Sequence, residues 1–192
     1  MDEAFQPGGR APAPGSLALV QDFVNTEIPD WNRDDVSTPE ELGAWLADRG
    51  LAEAADTVDG DLFVKARALR AALRELALAN TTSSHPGRRA RRTIDETLSA
   101  FPLAVRFRDD GPALEAGGSG AARGLATIVA AVVAARADGT WGRLKACKQE
   151  TCGWLFYDAS RNRSSSWCSM QICGGREKSR AYRRRHDAVG GA

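Results

Sequence analysis

The sequence predicts a mainly α-helical fold with one β-hairpin, followed by a small C-terminal module of different character. Three observations predict it. Between residues 16 and 140, apolar residues recur every three or four positions in several segments, the spacing of amphipathic helices. At Leu103, Val105 and Phe107 the period changes to two, the spacing of a strand. All four cysteines, Cys147, Cys152, Cys168 and Cys173, fall within one stretch of 27 residues, and none precedes it.

The elements follow in order. Residues 16–26, SLALVQDFVNT, read as a short buried helix with Ser16 at its start. Thr38-Pro39-Glu40-Glu41 is a helix start: Thr38 caps, Pro39 fits the first turn and Glu41 completes a capping box. Leu42, Trp45 and Leu46 then share one face, and Gly50 stops the helix. A third helix opens at Asp59 or Asp61, and Leu62, Ala66, Leu69, Leu73 and Leu76 form its stripe. After a loop at 81–87, a fourth helix covers 88–100 with Ile94 and Leu98 inward. Leu103, Val105 and Phe107 alternate with Ala104, Arg106 and Arg108 in a half-exposed strand; Asp109-Asp110-Gly111-Pro112 turns, and ALEA returns. A fifth helix carries Leu125, Ile128, Val129, Val132 and Val133 and ends at Asp138-Gly139.

The chain of 192 residues suffices for one core of ordinary size plus an appendage. A hydrophobic content of 43% and 27% charged residues are those of a globular protein. No apolar run approaches the ~18–20 residues of a membrane span, so no membrane partner is expected. Residues 1–15 are rich in Pro and Gly and lack the basic start and apolar stretch of a signal peptide. They read as a disordered lead-in to a cytoplasmic protein. The net charge of +1 hides an asymmetry: residues 141–187 hold 11 Lys+Arg against 4 Asp+Glu, and the remainder holds 15 against 21. A basic end on an acidic body suggests a polyanion partner.

The cysteine spacing is C-x4-C-x15-C-x4-C. Two knuckles about twenty residues apart can bring four thiolates into the tetrahedron that zinc prefers. Disulfides would need an oxidising compartment, the spacing matches neither common ferredoxin pattern, and a redox switch would favour C-x-x-C. One Zn²⁺ is therefore expected, and with four protein ligands the site is closed and structural. WLFYD and SSSWC read as the two strands of a hairpin, and REKSRAYRRR as a basic helix after the last ligand. That arrangement is treble-clef-like. The domains predicted are a lead-in at 1–15, a helical domain at 16–140, a zinc module at 141–187 and a disordered tail at 188–192.

The segment CGWLFYDASRNRSSSWCSMQICGGREKSRAYRRR resembles the CGNR zinc finger. LALVQDFVNT followed by TPEELGAWLADRGL resembles ABATE, the helical domain that precedes that finger. Proteins with this pairing are bacterial and regarded as stress-related transcription regulators, and the resemblance implies that the finger binds DNA. Two departures stand out. The eponymous Cys-Gly-Asn-Arg is here Cys173-Gly174-Gly175-Arg176, and Ser165-Ser166 stand where the family usually has Arg-Arg before Trp167-Cys168. If those arginines contact phosphate, the salt slope of binding drops by roughly two units.

A helix from about Gly174 places Arg176, Arg180, Arg183 and Arg184 on one face, flanked by Lys178 and Arg185, with Arg161 and Arg163 on the hairpin turn. These eight are the candidate nucleic-acid contacts, since guanidinium groups match phosphate geometry. The bland alternative is a solvated tail in which Glu177 and Asp187 pair some arginines. Trp154, Tyr157 and Trp167 read as the module's small core rather than as base-stacking groups. Asn25, Thr26, Trp31 and Arg33 are candidate ligand contacts, although capping and loop anchoring are the readier explanation for Asn25 and Thr26. No nucleophile elbow, P-loop or dinucleotide fingerprint occurs, which argues against an enzyme. The expectation is a DNA-binding regulator with a small-molecule effector, compatible with a homodimer. The alternatives are a zinc-stabilised protein-interaction module without DNA binding, and an RNA-binding module.

Overall fold

The computed structural model describes residues 6–109 and 111–189. In chain order the elements are α1 (Leu17–Val24), β1 (Glu27–Ile28), β2 (Arg33–Asp34), α2 (Pro39–Asp48), α3 (Gly60–Thr82), α4 (Arg88–Ser99), β3 (Leu103–Arg108), β4 (Gly111–Ala116), α5 (Gly120–Ala137), β5 (Leu144–Ala146), β6 (Leu155–Tyr157) and α6 (Gly175–Val189). The strands form three antiparallel pairs, β1-β2, β3-β4 and β5-β6. The mainly α class with a hairpin inside the helical part is what the sequence predicted.

Local chemistry sets the helix ends. At α2 the Glu41 N–H donates to the Thr38 hydroxyl at 3.2 Å, and the Glu41 carboxylate accepts from the Thr38 N–H at 3.1 Å. That is the predicted capping box. Asp59 caps α3 by accepting from the Leu62 N–H at 2.7 Å. The predicted stripe of α3 is inward: Ala66, Leu69 and Leu73 are buried, and Leu62 and Leu76 pack at its margins. Leu17, Val20 and Val24 of α1, Leu42 and Leu46 of α2, and Leu125, Ile128 and Val132 of α5 complete one core. The predicted turn at 109–112 is too long: Gly111 and Pro112 already pair with Arg108 and Phe107 as the start of β4, and Asp110 lies outside the described residues.

Four expectations need correction. α5 is long and apolar enough to cross a membrane by length and composition, with mean hydropathy 1.4, so one run does approach a span. Half of it is buried here, packed on α1 and β4. It serves this fold as a core helix. Second, β3 alternates as predicted, but the apolar side beyond Leu103 is not covered: Val105 and Phe107 are 63% and 85% exposed. Third, residues 6–15 are not a loose lead-in. The Ala13 N–H donates to the Gln21 side chain at 2.7 Å, and Ala13 joins the core. Met1 to Phe5 lie outside the described residues. At the other end α6 runs through Val189, past the expected start of the tail, and residues 190–192 lie outside the described part.

Candidate metal centre and nucleic-acid interface

The strand after the first knuckle is β6, as expected from WLFYD. Its partner is not SSSWC but β5, with Leu144 opposite Tyr157 and Ala146 opposite Leu155. The hairpin therefore precedes the second knuckle and encloses the first: Cys147 follows β5 directly and Cys152 stands three residues before β6. Gly153 adopts φ +59°, and a Cβ there would meet the Arg74 side chain at 3.0 Å. Both features favour glycine, since any side chain there would be strained and would push Arg74 aside. Cys168 lies after the 159–167 loop. Cys173 lies in a single wide turn, Met170–Gly174, that leads into α6.

The four Sγ atoms lie within 4.8 Å of one another, all on buried residues. Cys152 to Cys168 is 3.7 Å and Cys168 to Cys173 is 3.6 Å. A disulfide would need ~2.05 Å. A tetrahedral ion at ~2.3 Å from each sulfur sets its ligands roughly 3.8 Å apart, so the cluster fits one Zn²⁺. The thiol electrostatics agree. Hydrogen bonds from Cys152 and Cys168 favour Cys147 as thiolate, whereas that same neighbour pushes the thiols of Cys152 and Cys168 up. Burial pushes Cys173 up as well. Four thiolates this close repel unless a cation sits among them, and a divalent ion supplies the missing charge.

Successive residues of β6 face two cores, as strand geometry requires. Leu155 joins Leu144 and Ala146 in the main helical core. Trp154 and Phe156 join the cysteines and Ile28 in a second cluster, against which Trp167 packs. The finger is therefore continuous with the helical body. Asn80 donates to the carbonyls of Trp141 and Leu144, both at 2.9 Å, and Thr81 donates to that of Ala146 at 2.6 Å. Asn25 accepts from the Leu155 N–H at 2.8 Å and donates to its carbonyl at 2.9 Å. Arg10 donates to the carbonyls of Cys168 at 2.8 Å and Trp167 at 3.0 Å, and its guanidinium lies 4.5 Å from the Phe156 ring centre.

Inside the finger a buried ion pair holds the loop between the knuckles. Lys145 Nζ reaches Asp158 at 2.9 Å and also donates to the carbonyls of Arg163 and Ser165. Asp158 accepts from the Ser160 and Ser165 hydroxyls and from both their N–H groups. Burial raises the Asp158 pKa, but the Ser160 hydroxyl, Lys145 and the N–H donors together hold it well below the usual carboxylate range. Ser165, one of the two departures from the family pattern, is thus a loop anchor here.

The basic positions divide. Lys178, Arg180 and Arg183 on α6 and Arg161 on the loop are exposed and make no ion pair among the described residues. Arg163 is exposed at φ +49°. Arg184 pairs with Glu177 at 2.8 Å, as the bland alternative anticipated for that carboxylate. Arg176 pairs with Asp30, whose other oxygen accepts from the Thr151 hydroxyl at 3.0 Å. The Arg176 guanidinium holds the Asp30 carboxyl below its ordinary pKa. The side chains of Arg185 and Asp187 lie outside the described residues.

Residues 143–186 match the sequence model of the CGNR zinc finger, and residues 17–139 match that of ABATE, described as a putative stress-induced transcription regulator. The chain belongs to the ABATE family. No curated protein matches it. Its two ABATE and CGNR segments occur in the expected order, and the four cysteines of the CGNR finger are the cluster described above.

Of the candidate ligand contacts, Asn25, Thr26 and Arg33 line a cavity of about 210 Å³ beside the finger. Trp31 stands apart from its lining, 5.7 Å from the Trp154 ring. Thr26 donates to the Phe23 carbonyl at 2.8 Å and accepts from Arg70 at 3.0 Å. Arg70 is buried and forks onto Asp34, both contacts at 2.7 Å. It is not among the residues singled out from the sequence, because nothing within α3 announces its partner.

Proposed function

We propose that this ABATE protein is a DNA-binding transcription regulator acting in the cytoplasm, not an enzyme. Zinc fixes the two knuckles and so sets α6 and the 159–167 loop in one orientation. Lys178, Arg180 and Arg183 on α6, with Arg161 on the loop, grip backbone phosphates. The observation that carries this reading is that these four cations are exposed and make no ion pair among the described residues, on a module otherwise locked to a folded body. Arg184 is taken up by Glu177, and Arg180 feels the charge of Asp30 without pairing with it, so these four remain available to phosphate. The helical domain acts as the sensor, since the same seam that holds the finger borders a cavity.

Binding of the zinc-loaded chain to random-sequence duplex across a salt series tests it. Four phosphate contacts predict a slope of log K against log [salt] of about −3 to −4. A flat salt dependence, or tighter binding to single-stranded RNA than to duplex, contradicts it. A protein-partner reading has one observation in its favour: Val105, Phe107 and Leu114 leave one side of the β3-β4 hairpin apolar and exposed. Capture of a defined protein by the wild type, lost on Phe107→Ser with no duplex binding by either, would favour that reading.

A further inference from the structure

The cavity of about 210 Å³ is lined by Asp22 of α1 and the two residues just after that helix, Asn25 and Thr26, by Trp45 of α2 and Arg49 just after it, by Arg33 and Asp35, and by two residues at the finger, Gln6 and Trp154. Its polar groups are not equally free. Asn25 is committed to Leu155, and Thr26 to Phe23 and Arg70. Arg33 and Asp35 neutralise each other through two parallel hydrogen bonds. The Gln6 side-chain carbonyl accepts from Gln21 and Trp154, and the charged groups that remain are Asp22 and Arg49. Asp22 has no hydrogen-bond or ion-pair partner among the described residues, although it is half-buried on α1. Burial raises its pKa, and the charge of Arg49 offsets this only in part. Arg49 is exposed at the rim with its guanidinium 4.0 Å from the Trp45 ring centre, and among the described residues its side chain makes one long hydrogen bond, 3.4 Å to the Trp45 carbonyl. The two side chains feel each other's charge without pairing.

A cavity with one open negative and one open positive group selects its occupant by charge. A ligand bearing only a negative charge would leave the half-buried Asp22 carboxylate covered and unmatched, which is costly, and one bearing only a positive charge would forgo the exposed Arg49 guanidinium at the rim. A ligand bearing both charges satisfies both. The volume lies below the range of about 300–1,000 Å³ typical of drug-sized ligands, so the ligand is small. We propose that this cavity binds a zwitterion of amino-acid size, its ammonium on Asp22 and its carboxylate on Arg49. The proposal rests on the sensor part of the preceding reading and names the ligand class for it. Its position gives it leverage. Asn25 in the wall grips β6, and Trp154 in the wall belongs to the zinc cluster, so an occupant touches both sides of the seam.

The test uses the zinc-loaded full chain without DNA. The twenty standard amino acids are titrated singly by calorimetry and thermal shift, each beside its decarboxylated amine and its deaminated acid. The expected result is saturable binding by one amino acid or a few, at least tenfold weaker binding by the matched amine and acid, and loss of binding in both Asp22→Asn and Arg49→Gln. Far-ultraviolet circular dichroism and zinc content show that each variant is folded. Equal binding by the amine alone or the acid alone overturns the zwitterion assignment. Binding by none of the twenty, or binding undiminished in two folded variants, overturns the site. Duplex binding is measured separately, so its failure with amino-acid binding intact counts against the regulator reading and not against the cavity.

Discussion

The side-chain amide of Asn25 brackets the backbone of Leu155, accepting from its N–H at 2.8 Å and donating to its carbonyl at 2.9 Å. One residue of the helical domain thus behaves as a neighbouring strand to β6. Gln21, one turn earlier on α1, adds a bond to the same carbonyl at 3.1 Å. Asn25→Ala leaves the Leu155 N–H without its acceptor. A buried donor so stranded costs about 1–3 kcal/mol, and urea unfolding of the zinc-loaded chain checks it. Gln21 remains on the carbonyl, so the loss stays near the middle of that range.

Zinc removal should reach beyond the finger. Leu144, Ala146 and Leu155 belong to the helical core, while Cys147 and Cys152 flank the same hairpin. Chelation therefore lowers the melting temperature of the whole chain, with α6 and β5-β6 protons exchanging first. A helical domain that melts unchanged after chelation would contradict this. Zinc affinity also weakens as pH falls, because the thiolates must be free of protons to bind.

The Lys145–Asp158 pair is 4% and 0% exposed at its side chains. Lys145→Met leaves the Asp158 carboxylate without its cation, and breaking a buried pair this way costs about 3–5 kcal/mol. The pH dependence has a definite sign. Asp158 titrates below its unfolded value, so its stabilisation is complete above about pH 4 and is lost as pH falls further. The stability gap between wild type and Asp158→Asn, followed by denaturant titration, should narrow on acidification.

Asp30 occupies Arg176, the arginine of the eponymous motif. In duplex binding, Asp30→Asn frees one cation. The salt slope should steepen by about one unit, and affinity should rise at low salt. Arg176→Ala should change the wild-type slope less than Arg180→Ala does. Equal effects of the two would show that the Asp30 contact opens on DNA.

What could be read from the sequence was local. Thr38 and Glu41 are three residues apart, the α3 stripe repeats within a few turns, and the cysteines cluster in the chain as they do in space. What could not be read joins distant segments. Strand β5 is the three residues LKA with a buried lysine at its centre. Neither period nor composition marks it as the partner of LFY, so the nearer SSSWC looked more apt. Arg70, Arg10 and Asp30 look like ordinary surface charges in sequence. Each is fixed by a group at least 36 positions away. The Pro- and Gly-rich composition of residues 6–15 hid their packing, because beyond one turn at Pro7–Gly9 that segment is ordered by contacts with α1 and the finger.

The most direct test of the central claim compares the zinc-loaded wild type with an Arg180→Ala/Arg183→Ala variant on one random-sequence duplex, by fluorescence anisotropy across a salt series. The account predicts binding that weakens steeply with salt in the wild type. In the variant the slope is shallower by about two units, with zinc content and helicity unchanged. Identical slopes for the two proteins, or no binding by the wild type at low salt, would contradict it.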